Sequence, residues 1–486
     1  MNDFPIQNTD TADQRTECVV MKFGGTSVED APSIRRVADL VKQRLRLRPV
    51  VMVSALAKVT DQLLSAGKAA AEGRRDAARE TVQLLRDRHE QIAVTLVKGE
   101  GYERLRCDLE NEFQLLDGVL LGIAACGQFS PRAQDDLLGR GESLSSRIVH
   151  AVLLRDGLDA VWVDAKECII TDAAHTQATP LWNETNAQLE LLLLPQLRAG
   201  RVPVLGGFVG ATRDGVPTTL GRGGSDFSAA IVGAGLHACR IEIWTDVDGV
   251  MTTDPNLCPD ARRVARMSFD EAAELAYFGA RVLHPATLAP AMRHDIPVWV
   301  LNSRNPKCPG TEIRAHSGEF GGVKAITLKR GVVVVDVEPV RWLAPELLRE
   351  VCEVFERHHH TLDLLSASRG SLSLLLTSTT GLHAIAAELK GMANVRWENH
   401  KALVCLVGEQ IRRQPEIASR VFRAISDLDT RMICQGTSER SISFLVEDSR
   451  SEESVRRLHR LFFSSSDLPQ PPALSPAMCQ SGGAWQ

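Results

Sequence analysis

The stretch VVMKFGGTSVED, Val19–Asp30, carries an apolar, β-branched run into a lysine and two glycines, and a helix-period segment follows. Ile34, Val37, Ala38, Val41 and Leu45 recur on one face of that segment, and Pro32 is tolerated in a first helical turn. A second apolar run, VVMVSAL at 50–56, comes next, so the chain opens as strand, helix, strand. Further runs of strand type are AVWVDA (160–165), VPVLGGF (202–208), IEIWTDV (241–247) and IPVWVLN (296–302). Strands alternating with helices predict a largely parallel, open sheet with helices on both faces, whose ligands gather at the carboxyl ends of the strands. Residues 62–125 interrupt the rhythm with helical segments and read as an excursion from the sheet domain.

The 486 residues exceed a single hydrophobic core, so two or three domains are expected. A net charge of -5 and the lack of a long basic block exclude a nucleic-acid or anionic membrane surface as the main partner. Eleven cysteines without any Cys-x-x-Cys pair fit a reducing cytoplasm better than a zinc site or a disulfide framework. The opening residues, 1–17, lack the basic start and apolar core of a signal peptide and read as a disordered leader. No apolar run approaches the roughly 20 residues of a membrane helix.

A loop rich in Gly, Pro and charge, Asn305–Gly322, marks a domain boundary. Beyond it, two segments share a β-α-β-β grammar. The first runs from GVVVVDVEP through a helix near Glu346–His358 to SLSLLLTST, and the second from KALVCLVGEQ to SISFLVED. Each is too short to bury a large core alone, so the two are expected to pack together. RHHH, Arg357–His360, reads as a cationic helix end, LLLLP at 191–195 as core, and the residues from 466 on as a disordered tail.

Three glycine-bearing segments follow strand candidates: KFGGTS (22–27), GGFVG (206–210) and TLGRGGSDFSAA (219–230). The first is neither a Walker A loop, since its lysine precedes the glycines, nor a G-x-G-x-x-G fingerprint. It is either a tight strand-to-helix turn or a phosphate cradle using backbone N–H groups and the dipole of the following helix. In GRGGSD, Arg222 and Asp226 flank the glycines, as a surface ion pair or as a fork for a carboxylate or phosphate. Glu142 in GRGESLSS reads as the start of a helix, where the dipole favours a carboxylate whether or not it binds anything. Together, Glu142 and Arg222 suit the two charges of an α-amino acid. Thr245, Asp246 and Asp248 in IWTDVDGVMTTDP end a strand, as a structural loop or as nucleotide contacts.

In order, MKFGGTSV, VSALAKVTD, GRGES, GGFVG, TLGRGGSDFSAA, WTDVDGVMTTDP and FGARVLHPATL resemble the aspartate kinase family, and the paired repeats resemble its two ACT regulatory modules. The resemblance implies an α/β amino-acid kinase fold over 18–315 and a linker at 316–322. ACT-like modules are implied at 323–394 and 395–465, with the first strand, GVKAITL, completing the second module. It implies phosphoryl transfer from ATP, as its Mg2+ complex, to the β-carboxylate of L-aspartate. Lys22, Gly24, Gly25 and Asp226 would act on the transferring phosphoryl group, and Ser54, Thr60, Glu142, Phe208, Arg222 and Ser225 would receive the substrate. Thr245, Asp246, Met251, Asn256, Arg281 and Val282 would meet the nucleotide. Met251, Asn256 and Arg281 depart from the family's usual residues.

The regulatory half is similar to the lysine-sensitive branch, which places Leu347, Leu348, Asp363 and Ser368 at an amino-acid effector. Arg369 stands where an acid is usual, which opposes a cationic effector. A homodimer or higher homo-oligomer is expected. Two rivals compete: a kinase for another small carboxylate, and a catalytically weak amino-acid sensor of the same fold, which would have lost Lys22 or Asp226.

Overall fold

The computed structural model describes residues 16–280, 285–318, 321–342, 344–435 and 438–464. The expected tail lies outside them, and so does the expected leader apart from Thr16 and Glu17, which begin the first strand. In chain order the first half contains β1 (Thr16–Phe23), β2 (Pro49–Val53), β3 (Ala160–Trp162) and β4 (Val202–Gly206). A short hairpin of β5 (Val209–Ala211) and β6 (Pro217–Thr219) follows, then β7 (Ala238–Thr245), β8 (Arg266–Ser268), β9 (Val298–Asn302) and β10 (Thr311–Arg314). The main sheet has the order β3-β4-β2-β1-β7-β9-β10-β8 and is parallel except between β9 and β10. All six strand candidates lie in it.

Alternation along β1 divides the core. Val19, Met21 and Phe23 pack with the Ala31–Arg44 helix on one face, while Cys18 and Val20 pack with the Gly224–Gly235 helix on the other. The excursion is helical, over Val59–Ala71, Arg75–Leu96 and Gly99–Cys126. The LLLLP run is only half core: Leu193 is fully buried, but Leu191 is 66% exposed on a helix end.

The second half forms one antiparallel sheet in the order β12-β13-β11-β14-β16-β15. Its strands are β11 (Ala325–Pro339), β12 (Leu364–Ala367), β13 (Leu372–Leu376), β14 (Ala393–Val407), β15 (Arg431–Cys434) and β16 (Ser441–Glu447). The two long strands are shared. Ala325–Lys329 of β11 pairs with the end of β14 beside β16, and Val332–Pro339 pairs with its beginning beside β13. A register shift between Lys329 and Val332, at the left-handed Gly331, separates the two parts. The first strand therefore belongs with the second repeat, and the repeats interleave. A closing helix, Asp448–Phe463, lies beyond the strand–helix–strand–strand pattern.

Side-chain alternation on β11 joins the halves. Val333, Val335 and Val337 pack under the Pro345–Arg357 helix, but Val332 and Val334 face a core shared with Leu275 and Phe278 of the first half. At that junction Lys324 Nζ lies 3.0 Å from Glu271 Oε2, both nearly excluded from water. Glu271 also closes a capping box with Ser268 at the start of the Phe269–Tyr277 helix. An ion pair this deep is held by geometry, because either partner alone would be an uncompensated buried charge.

Candidate active site

One cavity of about 520 Å3 opens at the carboxyl ends of β1, β2 and β4 and gathers residues from distant parts of the sequence. Lys22, Gly25, Ser54, Thr60, Glu142, Phe208, Arg222, Ser225 and Asp226 all line it. Lys58 and Asp61 line it too and went unread, being charges in a segment without a glycine signature. Lys22 Nζ lies 2.6 Å from Asp226 Oδ1. The pair in GRGGSD is thus divided: Asp226, in the first turn of its helix, binds Lys22 at the end of β1, and Arg222 stays exposed at the cavity mouth.

The first glycine loop differs from the expected cradle in two ways. Gly24 donates its N–H to Trp244 O at 3.1 Å, which commits that donor to the fold. The loop then makes a short 3-10 turn, Gly25–Ser27, and the helix starts only at Ala31, its first turn capped by the Asp30 carboxylate on Ser33 N–H at 2.8 Å. The dipole of that helix is therefore satisfied by its own cap. Two helices bring amino ends without side-chain caps to the cavity: Val59–Ala71, through Lys58, Thr60 and Asp61, and Gly224–Gly235, which puts Asp226 in its first turn.

Glu142 is not at a helix start. It sits in the middle of the 25-residue Pro131–Arg155 helix, where the glycines around it suggested a boundary. Their function is close approach. A Cβ on Gly141 would come within 2.9 Å of Ala55 Cβ, and one on Gly139 within 2.7 Å of Val209 Cγ1. Across the contact, a Cβ on Gly206 would meet Glu142 Cβ at 3.0 Å, and one on Gly207 would meet Ser225 Cβ at 2.8 Å. Phe208 takes a left-handed backbone, φ 68°, and its N–H is held by Ser228 Oγ at 2.9 Å.

Burial raises the Glu142 carboxyl to about 8, against the opposing pull of the Ala55 N–H and the Lys22 charge. Its Oε2 is buried without a hydrogen-bond partner among the described residues. Such a group awaits a donor or a cation, because leaving it unpaired costs about 1–3 kcal/mol.

The same helix carries a residue that sequence reasoning missed. Asp135, fully buried, accepts from His175 Nδ1 (2.7 Å), Thr176 N (3.0 Å) and Thr219 Oγ1 (2.5 Å). Thr176 has a left-handed φ of 70°, and its carbonyl lies against Gly221. One carboxylate therefore fixes two loops, and the second carries Arg222. Its partners stand 40 to 84 positions away, so no local motif announces them.

A second cavity, about 790 Å3, lies between the loop after β7 and the β11 strand of the regulatory sheet. Asp246, Asp248 and Met251 line it with Gly279, Ala280, Lys329 and Arg330. Thr245 lies at the edge, its hydroxyl on Asp246 Oδ1 at 3.2 Å. Asn256 is not among the lining residues: its side chain and N–H fold back on Asp254 Oδ1 at 3.0 and 2.9 Å. Arg281 and Val282 lie outside the described residues. The loop is anchored from behind by the closing helix, whose His459 Nε2 lies 2.9 Å from Thr252 Oγ1. The cavities open at the carboxyl ends of the adjacent parallel strands β1 and β7, where Phe23 lies beside Trp244, and the Ser27 and Ser303 hydroxyls meet at 2.8 Å between the ends of β1 and β9.

In the regulatory half, Leu347 and Leu348 are half-buried on the Pro345–Arg357 helix, and Asp363 precedes β12. Asp363 Oδ2 is taken by Lys329 Nζ at 2.6 Å. Ser368 is exposed and bonded to Ser371, and Arg369 sits over the Trp342 ring at 5.7 Å.

Comparison with known proteins matches residues 17–302 to the amino acid kinase family and 404–462 to an ACT domain. The chain is 35% identical over 461 residues to the lysine-sensitive aspartokinase 3 of Escherichia coli, covering 92% of this chain and 100% of that one. It is 36% identical to the chloroplastic aspartokinase 2 of Arabidopsis thaliana, covering 92% and 84%. Among solved structures it is similar to E. coli aspartokinase III in complex with aspartate and ADP, with a TM-score of 0.80 at 34% identity over 92% of this chain and all of that one. The same relative in complex with lysine and aspartate gives 0.78 over the same shares.

Asp135→Asn tests the hidden brace. It leaves one acceptor where two oxygens now hold Thr176 N–H, so hydrogen exchange is expected to accelerate at Thr176 and along 219–226. Global stability should fall by about 1–3 kcal/mol. Unchanged exchange in both loops would show that Asp135 does not brace them.

Proposed function

The chain belongs to the amino acid kinase family as an aspartokinase, and from that premise we propose that its two neighbouring cavities divide one phosphoryl transfer between them. The reaction is that of an aspartate kinase, moving the γ-phosphoryl group of ATP to the β-carboxylate of L-aspartate. The observation that carries the assignment of sites is the convergence of Lys22, Asp226, Glu142 and Arg222 on one cavity beside the acidic loop after β7.

The nucleophile needs no general base, since an aspartate side chain with a pKa of about 4 is already ionised at neutral pH. The enzyme's task is alignment and neutralisation of charge. Lys22, aimed by Asp226, meets the transferring phosphoryl group, and Gly25 adds its N–H; Gly24 shapes the turn, its own N–H being committed. Glu142 receives the α-ammonium, which supplies the cation its buried oxygen lacks. Arg222 clamps a carboxylate of the substrate, and Ser54, Thr60, Phe208 and Ser225 shape the pocket. Asp246 and Met251 face the nucleotide in the larger cavity with Thr245 at its edge; Arg281 and Val282 are proposed as nucleotide contacts from the family resemblance alone. Magnesium would come with the nucleotide as part of the MgATP substrate complex. Asp246 and Asp248, which line this cavity, are hard oxygen donors of the kind that ion takes.

An amino-acid effector would bind along Leu347, Leu348, Asp363 and Ser368. A homodimer is proposed through the regulatory sheet, whose edge strands β12 and β15 expose Leu365 and Ile433. A cytoplasmic setting and a catalytic unit over 18–315, a linker over 316–322 and modules over 323–394 and 395–465 complete the reading. The sensor reading lacks support, because Lys22 and Asp226 are both present and paired.

Purified protein with MgATP and L-aspartate should yield an acyl phosphate trapped as the hydroxamate, and Lys22→Ala should cut that turnover by about 100- to 1000-fold. Near-wild-type turnover in the variant would refute the role of Lys22. With Glu142 near 8 in the free enzyme, the ionised form that an ammonium requires grows as pH rises. KM for aspartate should therefore fall between about pH 6.5 and 8 and level off above, and Glu142→Gln should show a high, flat KM. Lysine and threonine, alone and mixed, titrated into the same assay identify the effector. Arg369→Glu is expected to sharpen a response to lysine by removing a like charge.

A further inference from the structure

Lys329 belongs to two places at once. It lines the larger cavity from β11, and its ammonium lies 2.6 Å from Asp363 Oδ2 in the loop before β12. The two side chains are 22% and 16% exposed, so water screens the pair only in part. The neighbouring Arg330 also reaches the cavity, but its guanidinium is engaged by Asp448 and Glu452 at 2.8 and 2.9 Å. Among the described residues, Lys329 forms its ion pair with Asp363 alone.

That carboxylate is itself well fixed. Asp363 N–H donates to Leu375 O at 3.0 Å, and its carbonyl accepts the Tyr277 hydroxyl at 2.6 Å. Tyr277 ends the Phe269–Tyr277 helix, and the residues after it, Gly279 and Ala280, form another part of the cavity wall. Gly279 lies so close to β11 that a Cβ on it would meet Leu328 O at 3.3 Å and Lys329 Cβ at 3.4 Å. The helix end and the strand make one surface, and the loop at Asp363 touches both.

We infer that Lys329 is a nucleotide-site residue supplied by the regulatory sheet, and that Asp363 sets how much of its positive charge a bound nucleotide feels. The inference rests on the reading of the larger cavity as the nucleotide site. A magnesium nucleotide carries net negative charge, so an ammonium in the wall attracts it, and a carboxylate 2.6 Å behind that ammonium offsets part of the attraction. A change at the Asp363 loop then reaches the nucleotide without movement of the catalytic sheet.

Titration calorimetry of the full chain with MgADP tests this through five variants. Lys329→Met should weaken binding, and Asp363→Asn should tighten it, each by about two- to fivefold, the range of a partly screened pair. In the double variant the Asp363 change should have no further effect, because the charge it modulates is gone. Lys329→Arg should bind MgADP as the wild type does, which separates loss of charge from loss of fold. Asp246→Ala provides the reference for the cavity. If it weakens MgADP while Lys329→Met does not, or if Asp363→Asn acts equally in both backgrounds, the inference is wrong and the nucleotide assignment stands. If Asp246→Ala and Lys329→Met both leave binding unchanged, the nucleotide assignment fails and the inference with it.

Discussion

The ion pair between Lys22 and Asp226 is the contact around which the catalytic half is arranged. It joins the carboxyl end of the central strand β1 to the first turn of the Gly224–Gly235 helix, and it lies where the strand order turns back on itself. From β1 the chain proceeds outward through β2, while β7 comes in on the other side, and that reversal opens a crevice at the strand ends. A lysine at the end of β1 needs a counter-charge in that crevice, and the uncapped helix amino end presents one. Gly25 lets the loop after β1 close on the Ala55–Ala57 backbone, and Gly224 lets its helix close on Phe208.

Around this pair the site is assembled by exclusion of volume as much as by attraction. The Pro131–Arg155 helix can bring Glu142 under the smaller cavity only because Gly139 and Gly141 remove side chains from the contact with the loop after β2, the Val59–Ala71 helix and the β5 hairpin. Burial then produces the chemistry. The Glu142 carboxyl, kept from water and left with one unpartnered oxygen, is raised to about 8. Asp135, two turns earlier on the same helix, spends its charge on three donors and steadies the loop that carries Arg222.

The regulatory half is joined to this machinery by the two faces of one strand. Alternate residues of β11 are divided between the regulatory core and a core shared with the Phe269–Tyr277 helix, and Lys324 with Glu271 closes the junction where water is excluded. The wall of the larger cavity is consequently built from both halves. The closing helix adds a third support through His459 on Thr252.

The strands and the helical excursion were legible in the sequence because periodicity is a local signal, and a few charges, Lys22, Arg222 and Asp226, stood out beside glycines. The interleaving of the first regulatory strand and the positions Ser54, Thr60, Phe208 and Ser225 came only from the family resemblance. Sequence pattern could not tell a glycine that ends a helix from one that lets two backbones meet, so Glu142 was placed at a helix start instead of its middle. It could not see that Gly24 N–H is spent on Trp244, that Asn256 turns back on Asp254, or that Asp135 gathers donors far along the chain. The sequence by itself determined which groups are available and which elements carry them. Only the tertiary structure decided which groups are paired, buried or left unsatisfied, since desolvation and close approach depend on residues far apart in sequence meeting in space.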